Sequence, residues 1–194
     1  GAPEDILVNA KPHIGTDKLR DIIKRMRQDI IKLGGTVLFE NQMTDFHIKN
    51  NKITEICIND TTWIETELIV LAIGHSARDT FEILYSKNID MEPKAFAVGF
   101  RVMHPQSFIN QSQYGTAEVK ELGAAPYKIT AKASDGRGVY SFCMCPGGYV
   151  VNASSEDGFT AVNGMSYSGR NSSCANSAII VSVSPEDYPS KEVL

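Results

Sequence analysis

Residues 68–80 read LIVLAIGHSARDT, an apolar run that breaks at Gly74, His75 and Ser76 just before a helical pattern begins. How an apolar strand comes to end in so small and polar a turn decides the reading of the whole chain. One answer is a nucleophile. A hydrolase elbow needs Gly-x-Ser-x-Gly so that its strained turn fits between strand and helix, and the fifth position here is Arg78, which counts against it. A second answer is a parallel strand ending in Ala-x-Gly, at Ala72 and Gly74, which lets main chain pass close over a flat ligand because glycine has no Cβ to obstruct it. A third is local: Ser76 as a helix N-cap with Asp79 at the third helical position. The second and third are compatible.

Upstream of this stretch, Ile6, Leu7 and Val8 read as a short strand, and Pro12 and Gly15 mark a loop. The run DKLRDIIKRMRQDIIKLGG then sets Leu19, Ile22, Ile23, Met26, Ile30 and Leu33 on one side at helical spacing, with Asp17 in the first turn and Gly34-Gly35 as the stop. TVLFE restarts as a strand. From there to Gly74 the chain reads as a meander: MTDFHI, a turn at 49–52, ITEICI, a turn at 60–62, and WIETELIVLAI, with asparagines in the turns to accept positive φ. A helix over SARDTFEILYSKN closes this half.

After Met91-Glu92-Pro93 the character changes to mostly β with many Gly, Ser and Asn residues. AFAVGFRVMH alternates, with Phe96, Val98, Phe100 and Val102 on one face and Ala97, Gly99, Arg101 and Met103 on the other. VYSFCMC and GYVVNA flank Pro146-Gly147-Gly148 as a hairpin would, NSAIIVSV is a last strand, and SPEDYPSKEVL trails off.

The 194 residues are 42% hydrophobic and 22% charged, enough to bury one good core or two modest ones. A net charge of −4 gives no electrostatic reason for a nucleic acid or an anionic membrane as partner. No apolar run reaches the ~18 residues of a membrane helix, and no signal peptide precedes the first strand. Cysteines at 57, 143, 145 and 174 lack framework spacing, so the expected location is a reducing cytoplasm, where the Asn-x-Ser/Thr sequons carry no meaning. Gly1 reads as a cleavage scar ahead of a chain that begins mid-protein.

Three groups of residues invite chemistry. Arg101 and His104, with Gln106, form RVMHPQ: a guanidinium fork for a carboxylate or phosphate beside a ring that titrates near neutrality. They face opposite ways along a continuing strand and converge only if Pro105 bends it, so a catalytic pair and a structural polar cluster both stand as readings. Cys143 and Cys145, two apart, would share a strand face. Zinc could draw only on those two with His104 and Cys174, and no pair has finger spacing, so no metal is expected; buried small apolar residues or a redox turn remain. The turns at 146–148 and 163–166, and Arg170 as an anion contact, read as ligand groove or surface loop.

LIVLAIGHSARDT resembles the strand-to-glycine segment that two-dinucleotide-binding flavoproteins carry after their three-stranded meander. More narrowly, AIGHSARDT, KAFAVGFRVMHPQSFINQSQYG (94–115), FCMCPGGYVVNASSEDG (142–158) and NGMSYSGRNSSCANSAIIVSV (163–183) resemble the bacterial FAD-dependent dehydrogenases with an inserted substrate domain. That resemblance implies an α+β fold in two parts: residues 1–90 as part of a FAD-binding domain and 91–194 as a β-rich inserted domain. It implies cofactor contacts at Met43, through its backbone, and at Ala72, Gly74 and His75, and an unknown small-molecule substrate, with NAD(P)H as an open partner. The chain departs from the family in lacking the Gly-x-Gly-x-x-Gly fingerprint that holds a pyrophosphate and a glycine-rich closing segment. FAD is therefore expected in the parent protein and absent from this chain alone, which would be inactive. The rival from another class is a non-enzymatic ligand-binding or interaction module made of the β-rich half.

Overall fold

In the computed structural model, which describes residues 2–118 and 120–188, helices and antiparallel sheets combine in a mixed α and β fold. Its contacts gather into two units: residues 36–93, and residues 2–35 together with 94–188.

The first unit is the meander. Strands β1 (Met43–Lys49), β2 (Lys52–Ile58) and β3 (Thr62–Glu65) pair antiparallel in chain order. Asn50, Asn51, Asn59 and Asp60 take left-handed backbone in the two connections, the conformation that short polar side chains tolerate best in tight turns. Phe46 and Cys57 are buried. A helix that is α2 in chain order, Arg78–Ser86, packs on β1 and is tied there by Lys87, whose ammonium lies 2.7 Å from the Asp45 carboxylate. That bond from Lys87 holds the Asp45 carboxyl below its ordinary range.

One expected strand does not form in this unit, and another, WIETELIVLAI, is cut short after its first residues. TVLFE and LIVLAI run without a ladder partner among the described residues. β3 stops at Glu65 because the Thr66 hydroxyl turns the chain, bonding both the Leu68 carbonyl at 3.0 Å and the Leu68 N–H at 3.4 Å. Leu68 and Val70 are left about four-fifths exposed. Nor does Ser76 cap α2: the N-cap position is Ala77, and Asp79 accepts from the Thr80 N–H instead.

The second unit is β-rich. Strands β4 (Phe96–Pro105), β5 (Thr130–Lys132), β6 (Gly138–Cys145) and β9 (Cys174–Val183) make an antiparallel sheet in the order β4-β9-β6-β5, and β7 (Gly148–Asn152) with β8 (Val162–Ser166) form a separate two-stranded ribbon. Pro146-Gly147-Gly148 is therefore a corner between sheets and not a hairpin turn, and 163–166 lie in a strand, not a turn. The central strand β9 carries three fully enclosed residues in a row, Ala175, Asn176 and Ser177. Helix α3 (Gln106–Tyr114) packs against β4 and β9, and Ile109, Ala125 and Ala175 form its small core. The remaining apolar face of β4, through Phe96, Val98, Phe100 and Val102, stays exposed.

Helix α1, Thr16–Lys32, forms where its periodicity predicts. It groups with the β-rich unit although the sequence boundary near residue 90 places it with the meander. Its start is latched there: the Asp17 carboxylate accepts from the Ser168 N–H at 2.7 Å and the Ser168 hydroxyl at 2.6 Å. Those bonds, the hydroxyl first, lower the Asp17 carboxyl. Residues 6–8 are not a strand: Ile6 and Leu7 end a 3-10 turn, Glu4–Leu7, and Val8 caps it; with no adjacent strand among the described residues, Ile6 and Val8 find their backbone partners locally.

Candidate functional site

In the meander unit the sequence singled out Met43, Ala72, Gly74 and His75. Met43 opens β1 opposite Ile58, and its side chain lines a small apolar hollow of about 170 Å³ together with Phe46, Ile69 and Leu71. Segment 68–73 is thus two-faced. Ile69 and Leu71 line the hollow, Leu71 still 43% exposed, while Leu68 and Val70 are far more exposed. Beyond it, Gly74 has φ +72°, and a Cβ built there meets nothing within 4 Å. His75 is exposed. The Gln42 amide donates to the Asp79 carboxylate, which ties the residue before Met43 to the first turn of α2. Met43 thus shares the hollow with Ile69 and Leu71, while Ala72, Gly74 and His75 follow as exposed residues between that hollow and α2. A larger concavity of this unit, about 1110 Å³, is elsewhere, between the β1–β2 turn and residues 65–69.

In the β-rich unit the structure does not bring Arg101 and His104 together. β4 keeps unbroken register with β9 from Phe96↔Val183 to Pro105↔Cys174, so Pro105 does not bend the strand and the two side chains stay on opposite faces. Arg101 points under the β7–β8 ribbon. Its Nη1 donates to the Asn176 Oδ1 at 2.7 Å and to the Cys143 carbonyl at 3.1 Å. Gly164 passes over this cluster so closely that a Cβ there would lie 2.3 Å from Arg101 Nη1 and 2.7 Å from Cys145 Sγ.

His104 lies on the other face, its ring 5.5 Å from that of Tyr127. Its Nε2 is buried without a hydrogen-bond partner among the described residues, and burial lowers its pKa, which favours the neutral ring. A proton shuttle needs a partner; this ring has an aromatic neighbour.

Cys143 and Cys145 do not share a face. The register with β9 slips between Phe142 and Cys145, and Cys143 takes φ +48° at that bulge, which exposes Cys143 and buries Cys145. Sequence spacing gives no sign of a bulge, since an extra residue changes the face without changing the pattern. Burial, more than any neighbour, pushes the Cys145 thiol pKa up despite the nearby Arg101, so this is an unreactive thiol. Among the described residues no group of three or more His, Cys, Asp or Glu could hold a metal ion, and no helix is long and apolar enough to cross a membrane.

Gln106 proves to be a buried hub. Its amide donates to Asn110 Oδ1 at 2.9 Å and to the Ala125 carbonyl at 3.0 Å, and its Oε1 accepts from the Gly147 N–H at 2.7 Å. Asn110 in turn accepts from the Ala125 N–H at 3.0 Å. The i, i+4 spacing of Gln106 and Asn110 on a helix was the available signal for half of this network; the contact with Gly147 lies 41 residues away.

The family model described as FAD-dependent protein, C-terminal domain-like matches residues 95–194. A protein of Clostridium beijerinckii that carries the name "Uncharacterized protein" is 48% identical over 190 residues, which is 97% of this chain and 36% of that protein. The chain thus spans about a third of the length of the relative it matches.

Proposed function

This chain belongs to the FAD-dependent protein, C-terminal domain-like family, and from that premise we propose that it is part of a cytoplasmic FAD-dependent oxidoreductase acting on a small-molecule substrate, with NAD(P)H as electron partner. The observation that carries the reading is Gly74. It ends an extended apolar segment with positive φ, open space where a side chain would stand, and an exposed backbone. Main chain of that kind can lie against a flat ring system without obstruction.

The residues present fit one edge of such a site. Ala72 and Gly74 would offer unobstructed backbone, His75 an exposed ring, and Met43 its main chain at the start of β1. The hollow lined by Phe46, Ile69 and Leu71 is too small for a flavin, and its task is to anchor the segment. No Gly-x-Gly-x-x-Gly occurs in the chain, so the pyrophosphate would be held by parts of the longer protein. When bound, the flavin supplies the two-electron chemistry. Arg101, saturated on Nη1 by Asn176 of β9 and the Cys143 carbonyl of β6, is a positioning residue that ties those strands together beneath the β7–β8 ribbon, and His104 keeps a dry, neutral face.

The test is flavin content. The full-length protein should co-purify with FAD that NADH or NADPH bleaches anaerobically, and this chain alone should not. Gly74→Val should lower flavin occupancy in the full-length protein. Gly136→Val, at an equally open position with φ +86°, should not. Flavin-free full-length protein, or equal losses from the two variants, would overturn the reading.

A further inference from the structure

The β-rich unit holds a second basin, of about 570 Å³, between the chain that follows α3 and the turn at 169–172. Its size is that of a small-molecule pocket. The floor is rigid and chemically closed, because Gln106 and Asn110, both 6% exposed, spend their amides on each other, on Ala125, on Ala117 and on Gly147. The wall is different. Arg170 lines the basin in left-handed backbone, φ +46°, and its Nε is buried with no hydrogen-bond partner among the described residues. A guanidinium N–H withdrawn from water and left unmatched is costly, and strained non-glycine backbone gathers at ligand sites.

Lys120 and Glu118 also line the basin. Two cations against one carboxylate leave a single positive charge, which suits a monoanion and opposes a dianion through Glu118. We propose that this basin is a binding site for a small molecule bearing one carboxylate, held by the Arg170 fork and assisted by Lys120. That the ligand would be the substrate of the oxidoreductase rests on the flavin reading above; carboxylate binding by this unit does not.

The flavin-free chain is sufficient for the test, so its outcome is independent of cofactor binding. Benzoate, acetate and inorganic phosphate are titrated against the isotope-labelled chain, following backbone amides and the side-chain Nε–H of Arg170 by NMR. Benzoate or acetate should give saturable shifts at roughly millimolar concentration at Arg170 and Ser172, and should move the Arg170 Nε–H itself. Arg170→Gln should weaken binding by about tenfold or more, and Lys120→Gln by less. Should Arg170→Gln fail to fold, Lys120→Gln and the Nε–H shift of the unaltered chain decide the matter. Phosphate bound more tightly than the carboxylates, binding that neither variant weakens, or no saturable shift would each overturn the proposal.

Discussion

Gly147 lies so close beneath Arg170 that a Cβ at 147 would stand 1.8 Å from the Arg170 carbonyl oxygen. Both residues take left-handed backbone, at φ +53° and +46°, and the contact is fixed from two sides. The Gly147 N–H donates to Gln106 Oε1 at 2.7 Å, and the Gly147 carbonyl accepts from the Ser172 N–H at 3.4 Å. The corner between β6 and β7 and the turn that carries Arg170 are thereby one object. Gly147→Ala should cost about 3 kcal/mol or more, since it adds a backbone clash to an unfavourable φ. Gly136→Ala, where φ is also positive but space is open, should cost about 1 kcal/mol. Urea midpoints at constant m check the difference.

Asn176 is fully buried and is the side-chain acceptor for Arg101 at 2.7 Å. Asn176→Ala should destabilise the protein by about 2–3 kcal/mol, because it leaves a guanidinium donor dry. Arg101→Met, which removes the charge and keeps the stem, should cost less. Equilibrium denaturation of the two variants ranks them; a larger loss for Arg101→Met would assign the cluster to packing.

The folded-state pKa of His104 is lowered by burial beside Tyr127. The unfolded chain therefore binds this proton more readily. Stability is fully present above the unfolded histidine value of about 6.5 and falls as pH drops from there through the folded pKa. His104→Phe should flatten the stability profile over that window. Denaturation midpoints measured from neutral to mildly acidic pH check it, and an unchanged slope would remove His104 as its source.

Leu68 and Val70 are exposed while Ile69 and Leu71 line a hollow. An extended apolar segment with no ladder partner is a template for association. Leu68→Lys with Val70→Lys should raise the solubility of this chain and leave its midpoint within about 0.5 kcal/mol. Ile69→Ala should cost about 1–2 kcal/mol, below the usual core range because the hollow is half open. Static light scattering against concentration, with denaturation curves, separates the two faces.

Local elements were legible to the extent that their partners lie nearby in the chain. The periodicity of α1 and the asparagine turns of the meander are short-range signals, and both elements form as read. TVLFE and LIVLAI carry the same apolar signal yet form no ladder here, because a strand is completed by a neighbour and not by its own composition. Ser76 matches a capping pattern, but a one-residue shift in the start of α2 hands the cap position to Ala77. For the candidate site, Met43 opens β1 and Ala72, Gly74 and His75 stand exposed ahead of α2, while Arg101 and His104 are parted by the regular alternation of β4.

The sequence by itself determined the mixed composition of helix and antiparallel strand, the change of character near residue 93, and the family likeness, since each depends on residue order over a few positions or on long matching stretches. Only the tertiary structure decided which face Cys145 occupies, where Arg101 finds its acceptor, that α1 begins on Ser168, and that Gly147 presses on Arg170. Those are contacts between residues 23 to 151 positions apart or consequences of a single bulged residue. Side-chain pattern records which face is apolar; it does not record what comes to lie against it.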